Sequence, residues 1–284
     1  MDAVDRVVDA DRYPLSAPAS RGWRDATARA RQELRARGCS VLPGFIRADL
    51  VDELRRECSS VAPFAYDDLE TVNVYNTAAD PSLPADHPAR TTMERSNAFV
   101  ARDDIPDHFA VHQLYSSSLL QRFIASCFDL TRVWELADPL AGLCVNVVRP
   151  GRGHPWHFDK NECTVSLLTQ EAETGGSFEY CPNIRSPKTE NIADVRAVLA
   201  GRGQRLIRRL ALRPGDLQLF RGRYALHRVT TVHGDAERHS AIFAYTERPG
   251  VVGNAARARQ LFGRVLPAHL RAADGATGPD ALLD

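Results

Sequence analysis

AGLCVNVVRPGRGHPWHFDKNECTVSLLTQ, residues 141–170, holds two strand-like runs around a polar loop. Ala141–Arg149 and Cys163–Gln170 are rich in β-branched residues, roughly alternate, and are bounded by Gly, Pro or Asp, which is the pattern of strands. Ser177–Tyr180, Arg205–Leu212, Asp216–Phe220 and Ser240–Thr246 read the same way. The Gly-Gly of ETGGSFEY suits a hairpin turn, and the Pro-Gly-Asp of RPGDLQLF leads a turn into a strand. Most of these strands have no helix between them, so they should pair antiparallel. The expected class is mainly β with flanking helices: a sandwich, barrel or jelly roll.

Outward from that core the periods change. Trp23–Arg37 is helical, with Gly38 as its stop, and CSVLPGF is a short strand. In Ala48–Val61, Leu50, Val51, Leu54, Cys58 and Val61 share one helix face. A third helix is expected over Asp107–Phe128, a helical insertion over Asn191–Leu199 and a last helix over Ala255–Leu266. The implied organisation is a flexible arm (1–20), one domain (21–272) and a disordered tail (273–284). Within the domain, a helical part (21–135) precedes a jelly-roll core (136–249) and a C-terminal helix (250–272). Pro63–Arg90 is too long for an ordinary connection and reads as a functional loop or lid.

Composition excludes several partners. Formal net charge is zero over 284 residues, so neither a polyanion nor an anionic membrane is expected. Lys160 and Lys188 are the only lysines, and the arginines are scattered among acids, which argues against a nucleic-acid patch. Arg205, Arg208, Arg209 and Arg213 read as a solvated strand face. The six cysteines contain no C-x-x-C and read as buried free thiols in a reducing compartment. The acidic, polar start and the lack of an apolar run of membrane length give a cytoplasmic expectation. Monomer and homodimer both remain open.

The loop of the opening stretch carries the chemistry. Strand residues i and i+2 share a face, so His157 and Asp159 can converge on one ion. His154 stands at i, i+3 from His157, a helical spacing that Pro155 disfavours, and Glu162 has the wrong parity. Both fall back to flanking roles. A third ligand should come from another strand. His227, in LFRGRYALHRVTTV, stands at a strand start, whereas His233 reads as a turn residue, His239 directly follows Arg238 and His269 lies in the C-terminal helix region. Two histidines and a carboxylate, with open positions left, form the facial triad of non-haem Fe(II) oxygenases. Such iron commonly draws electrons from 2-oxoglutarate, whose far carboxylate calls for an arginine fork. Arg238 opens the final strand, and Ser240 shares its face.

These elements, HFD, PGDLQLFRGRYALHRV and the RHS of Arg238–Ser240, resemble the Fe(II)/2-oxoglutarate-dependent dioxygenase superfamily over about residues 141–247. PWHFDKNECTVSLLTQ, TGGSFEYCPNIRS and ENIADVRAVL are similar to its branch of free-amino-acid hydroxylases and lysine radical halogenases. The resemblance implies a double-stranded β-helix (cupin-like) core. It also implies Fe(II) on His157, Asp159 and His227, with 2-oxoglutarate on Arg238 and Ser240. The implied activity is hydroxylation of an unactivated C–H bond of a free amino acid or similar small metabolite by dioxygen, releasing succinate and CO2. Desaturation or cyclisation remains open. In the halogenases a small residue replaces the motif's aspartate and makes room for chloride; Asp159 is present here, which favours oxygenation. Asn146, polar in mid-strand, faces either the cofactor cavity or the core. Trp156 walls a pocket or packs. Arg95, Asp138, Asn161 and Arg185 are candidates for reading a zwitterion. The rivals are a metal oxidase that uses no 2-oxoglutarate and a jelly-roll binding module with structural histidines.

Overall fold

The structure is a computed structural model that describes residues 3–77, 80–161, 163–271 and 282–283. Two antiparallel sheets face each other. The larger is built from β1 (Cys39–Leu42), β2 (Ala98–Val100), β3 (Leu143–Val148), β5 (Thr164–Gln170), β8 (Leu217–Phe220) and β10 (Arg238–Thr246), in the order β1-β8-β5-β10-β3-β2, with Trp134–Glu135 added beside β10. The smaller contains β4 (His154–His157), β6 (Phe178–Cys181), β7 (Arg208–Arg209) and β9 (Leu226–Val229), in the order β7-β6-β9-β4. From β3 onward the chain passes back and forth between the sheets, which is the jelly-roll arrangement.

Period-two alternation splits the large sheet into two chemistries. Val145, Val147, Val165, Leu167, Leu217, Leu219, Ala241 and Phe243 point to one face, which forms the main core with the helices. Those helices are α1 (Ala3–Val7), α2 (Arg21–Arg37), α3 (Val51–Val61), α4 (Ala110–Ser116) and α5 (Ser118–Phe128). Asn146 and Ser240, the intervening residues, sit opposite each other on the inner face. Further on, α6 (Ile192–Leu199), α7 (Ala255–Phe262) and α8 (Pro267–Arg271) pack around the smaller sheet and the ends of the strands.

Local chemistry sets the boundaries. Ser20 caps α2 by accepting from the Trp23 amide, and Gly38 closes it in the left-handed conformation (φ 67°). The single helix expected over Asp107–Phe128 is two. Ser117 takes an extended conformation and its hydroxyl accepts from the Leu119 and Leu120 amides, which starts α5 afresh. The strand expected over Arg205–Leu212 shrinks to Arg208–Arg209 after a 3₁₀ turn. Gly175 and Gly176 do not turn a hairpin. Thr174–Gly175 instead pairs with Val232–His233, and a Cβ on Gly175 would sit 2.0 Å from the Thr231 carbonyl oxygen. The glycine serves a close backbone approach.

Residues 1–20, expected as a loose arm, are packed where described. Val4, Val8, Tyr13 and Leu15 are buried in the main core, and the Asp9 and Arg47 amides bond to the Phe45 and Val7 carbonyls. Of the expected tail, only 282–283 are described, and Leu282 is buried. The 63–90 segment is not a free flap: Val72, Val74 and Tyr75 are buried, and the Phe158 amide donates to the Val74 carbonyl. All six cysteines are free and buried. Among the described residues no helix is long and apolar enough to cross a membrane.

Candidate metal centre and cofactor pocket

His157 ends β4 and His227 lies directly across from it on β9. Opposed positions on neighbouring strands bring Cβ atoms to about 5 Å, and the two imidazoles stand 4.0 Å apart between centroids. Each ring is fixed by its own backbone. Nδ1 of His157 meets the Pro155 carbonyl at 2.8 Å, and Nδ1 of His227 meets that of Ala225 at 2.9 Å. A carbonyl only accepts, so both Nδ1 atoms carry the proton and both Nε2 atoms present lone pairs. Asp159, two residues past His157, sets Oδ1 3.7 Å from Nε2 of His157 and 3.5 Å from Nε2 of His227. All three donors lie within 4.8 Å of one another. Bonds of about 2.1 Å at right angles place neighbouring donors about 3 Å apart, so a small inward shift would close the set on a first-row divalent ion.

The electrostatics suit that use. Burial first, then His227, pushes the His157 imidazole down to about 3, so it is neutral and able to ligate. Burial pushes Asp159 upward, but His227, His157 and the Thr164 hydroxyl outweigh it and hold the carboxyl well below the usual range. The site thus offers two imidazole nitrogens and one carboxylate, the donor set of a facial triad.

His154 stacks on His157 at 3.8 Å, which simple strand parity does not allow. The pairing explains it: His157 faces His227 but His154 faces Val229, so β4 spends three residues where β9 spends two. That bulge turns His154 onto the ligand face. Burial, then His157 and His227, keeps it neutral. Glu162 lies outside the described residues.

Arg238 and Ser240 share the inner face of β10, and Nη1 of Arg238 donates to the Ser240 hydroxyl at 2.8 Å. Burial pushes this guanidinium down to about 10, so it stays charged at neutral pH. Among the described residues no carboxylate pairs with it. Asn146, across from Ser240, accepts from the Asn97 amide at 2.9 Å.

The remaining predicted residues divide. Arg95 is enclosed beside the site but already engaged, with Glu70 at 2.7 Å and the Gln260 carbonyl at 3.0 Å. Asp138 is elsewhere: its carboxylate accepts from the Leu140, Ala141 and Gly253 amides and meets His269. Trp156 points away from the ligands, in the smaller sheet's cluster, beneath the Arg228 guanidinium. Arg185 lies behind the ligand strand, 3.8 Å over the Phe158 ring and paired with Glu190. Asn161 is exposed. The sequence reading missed Arg257 of α7. This half-buried cation is close enough to His154, His157 and Asp159 to interact electrostatically with them. Among the described residues its guanidinium donates one hydrogen bond, to the Gln260 side-chain amide. Nothing in ARARQ distinguished it from a solvated helix face.

Solved structures with this architecture include an oxidoreductase of the 2OG-Fe(II) oxygenase family from Burkholderia pseudomallei, at 16% identity over 79% of this chain and 92% of that one, TM-score 0.50. AviO1 from Streptomyces viridochromogenes Tue57 aligns at 16% identity over 79% and 96%, TM-score 0.53. The epimerase SnoN, in complex with Fe3+, alpha ketoglutarate and nogalamycin RO, aligns at 14% identity over 78% and 84%, TM-score 0.54. Identities this low establish a shared fold. No curated protein matches the chain. At the level of sequence, a family profile described as Halogenase D matches residues 23–257. That stretch carries all three donors as well as Arg238 and Ser240, and the chain belongs to the Halogenase D family.

Proposed function

We propose that the chain is an Fe(II)- and 2-oxoglutarate-dependent oxygenase that hydroxylates an unactivated C–H bond of a free amino acid or similar small metabolite. One observation carries the reading: two imidazoles, each locked by a backbone carbonyl on Nδ1, aim Nε2 at one oxygen of Asp159. The fold is shared with SnoN, which binds Fe3+ and alpha ketoglutarate, and that supports the same pair of cofactors here. His157, Asp159 and His227 would hold the metal. Arg238, a buried cation with no carboxylate partner among the described residues, would take the far carboxylate of 2-oxoglutarate, with Ser240 beside it. When bound, iron and cosubstrate supply the oxidising chemistry, with dioxygen as oxidant and succinate and CO2 as by-products. The protein's share is positioning and exclusion of water. Arg257 is a second, half-buried cation with no acidic ion-pair partner among the described residues, which supports a substrate bearing a carboxylate, as an amino acid does. An address in the cytoplasm fits the six free thiols.

The family's name raises halogenation, but Asp159 fills the corner that a halide would need. Anaerobic addition of Fe(II) and 2-oxoglutarate should give a weak visible charge-transfer band. A succinate-release screen over free amino acids should then find a substrate that gains oxygen, not chlorine, in chloride buffer. Chlorinated product would overturn the assignment. Arg238→Ala should weaken 2-oxoglutarate binding about 100-fold, since removing one partner of a buried charge pair costs roughly 3 kcal/mol. Turnover unchanged by Arg238→Ala would reject the cosubstrate.

A further inference from the structure

Asp159 sits in a fitted slot. Its Oδ2, the oxygen turned away from the histidines, accepts a 2.6 Å hydrogen bond from the Thr164 hydroxyl at the start of β5. Its backbone amide donates to the Gly222 carbonyl at 3.2 Å, which holds the 221–224 turn against the ligand strand. A Cβ on Gly222 would lie 1.9 Å from Oδ2, 2.6 Å from Cγ and 2.8 Å from Cβ of Asp159. Those are its three nearest contacts, and all belong to one side chain. Gly222 is not among the positive-φ glycines, so its backbone would tolerate other residues. What excludes a side chain there is the side chain of Asp159, from its Cβ outward.

Resting on the ligand reading above, we propose that Gly222 and Thr164 are the specificity-determining slot for the third ligand: Gly222 admits a carboxylate at position 159, and Thr164 holds it one-handed. With Oδ2 engaged by Thr164, only Oδ1 faces the two Nε2 atoms. Binding through one oxygen would leave more of a bound ion open to cosubstrate and dioxygen than a two-oxygen grip would. Position 222 is therefore coupled to position 159, and a side chain at 222 is incompatible with a carboxylate at 159.

Two measurements test this, and the first needs no metal. In metal-free protein, Gly222→Ala should lower Tm by about 5 °C, as overpacking does. In the Asp159→Gly background the same change should cost less than about 1 °C, because the obstructing atoms are gone. Equal losses in both backgrounds would overturn the coupling, whatever the enzyme's activity. The second measurement titrates Co(II) anaerobically into each variant. Thr164→Val should weaken Co(II) about tenfold, the usual cost of losing a hydrogen-bond partner of a ligand, and should alter the Co(II) visible spectrum. Thr164→Ser, which keeps the hydroxyl, should restore both. A Thr164→Val spectrum and affinity identical to the parent would reject the holding role. If the stability coupling appears but no variant, nor the parent, binds Co(II), the slot stands and the metal reading falls.

Discussion

At the scale of single residues, the site is defined by groups that the fold keeps neutral and dry. Burial pushes His154 and His157 below the ordinary histidine value, His157 to about 3. Each is neutral in the native protein and takes up a proton on unfolding below about pH 6.5. The unfolded state then binds more protons, so stability rises with pH in this window and is lost as pH falls through it. At pH 5.5 each should cost the metal-free protein about 1 kcal/mol relative to pH 7.5, read as a lower urea midpoint. An unchanged midpoint would mean that these rings are solvated. The triad itself was legible, because H-x-D and a distant strand histidine need only period-two geometry. The stacking of His154 was not: it depends on a bulge opposite Arg228, a feature of pairing register that one strand's sequence does not encode. Arg257 was equally hidden, since enclosure is decided by what α7 packs against.

At the scale of elements, polar residues that look functional are often joints. Asp138 was a candidate for reading a zwitterion, which needs an anion beside a cation. Its oxygens instead accept three backbone amides at 2.8, 2.8 and 2.9 Å and meet His269 at 3.2 Å, joining the approach to β3, the Gly253 turn and α8. Asp138→Ala would leave those donors unmet, at about 1 kcal/mol each. The expected drop in Tm is about 9 °C, at roughly 3 °C per kcal/mol, with 2-oxoglutarate affinity unchanged. A stable variant with raised substrate KM would return Asp138 to the substrate pocket. The strands of the core were visible in advance because alternation and turn residues agree. The break at Ser117 was not, because apolar residues continue on both sides of it, Leu114 before and Leu120 and Phe123 after, while the serine hydroxyl competes for the amides.

At the scale of the whole molecule, the large sheet divides stability from chemistry. Its helix-facing side carries Val145, Val147, Leu167, Leu219 and Phe243 in the main core; its inner side carries Asn146, Arg238 and Ser240. The N-terminal segment belongs wholly to the first layer. Tyr13 packs 5.4 Å from Phe45 and donates to the Pro43 carbonyl, and Val8 bridges Ile46. Composition gave no sign of this, because six acidic or basic residues in the first dozen outweigh the few apolar anchors. Deleting residues 1–16 should uncover Phe45 and Ile46, each worth about 2 kcal/mol when buried, and lower Tm by about 10 °C. Because the sheet stands between that segment and Arg238, the affinity for 2-oxoglutarate at a temperature where both proteins are folded should stay within about twofold, well under 1 kcal/mol. A truncated protein with unchanged Tm would show the segment to be a loose arm after all. One that folds normally but loses 2-oxoglutarate would show that the two layers are mechanically coupled.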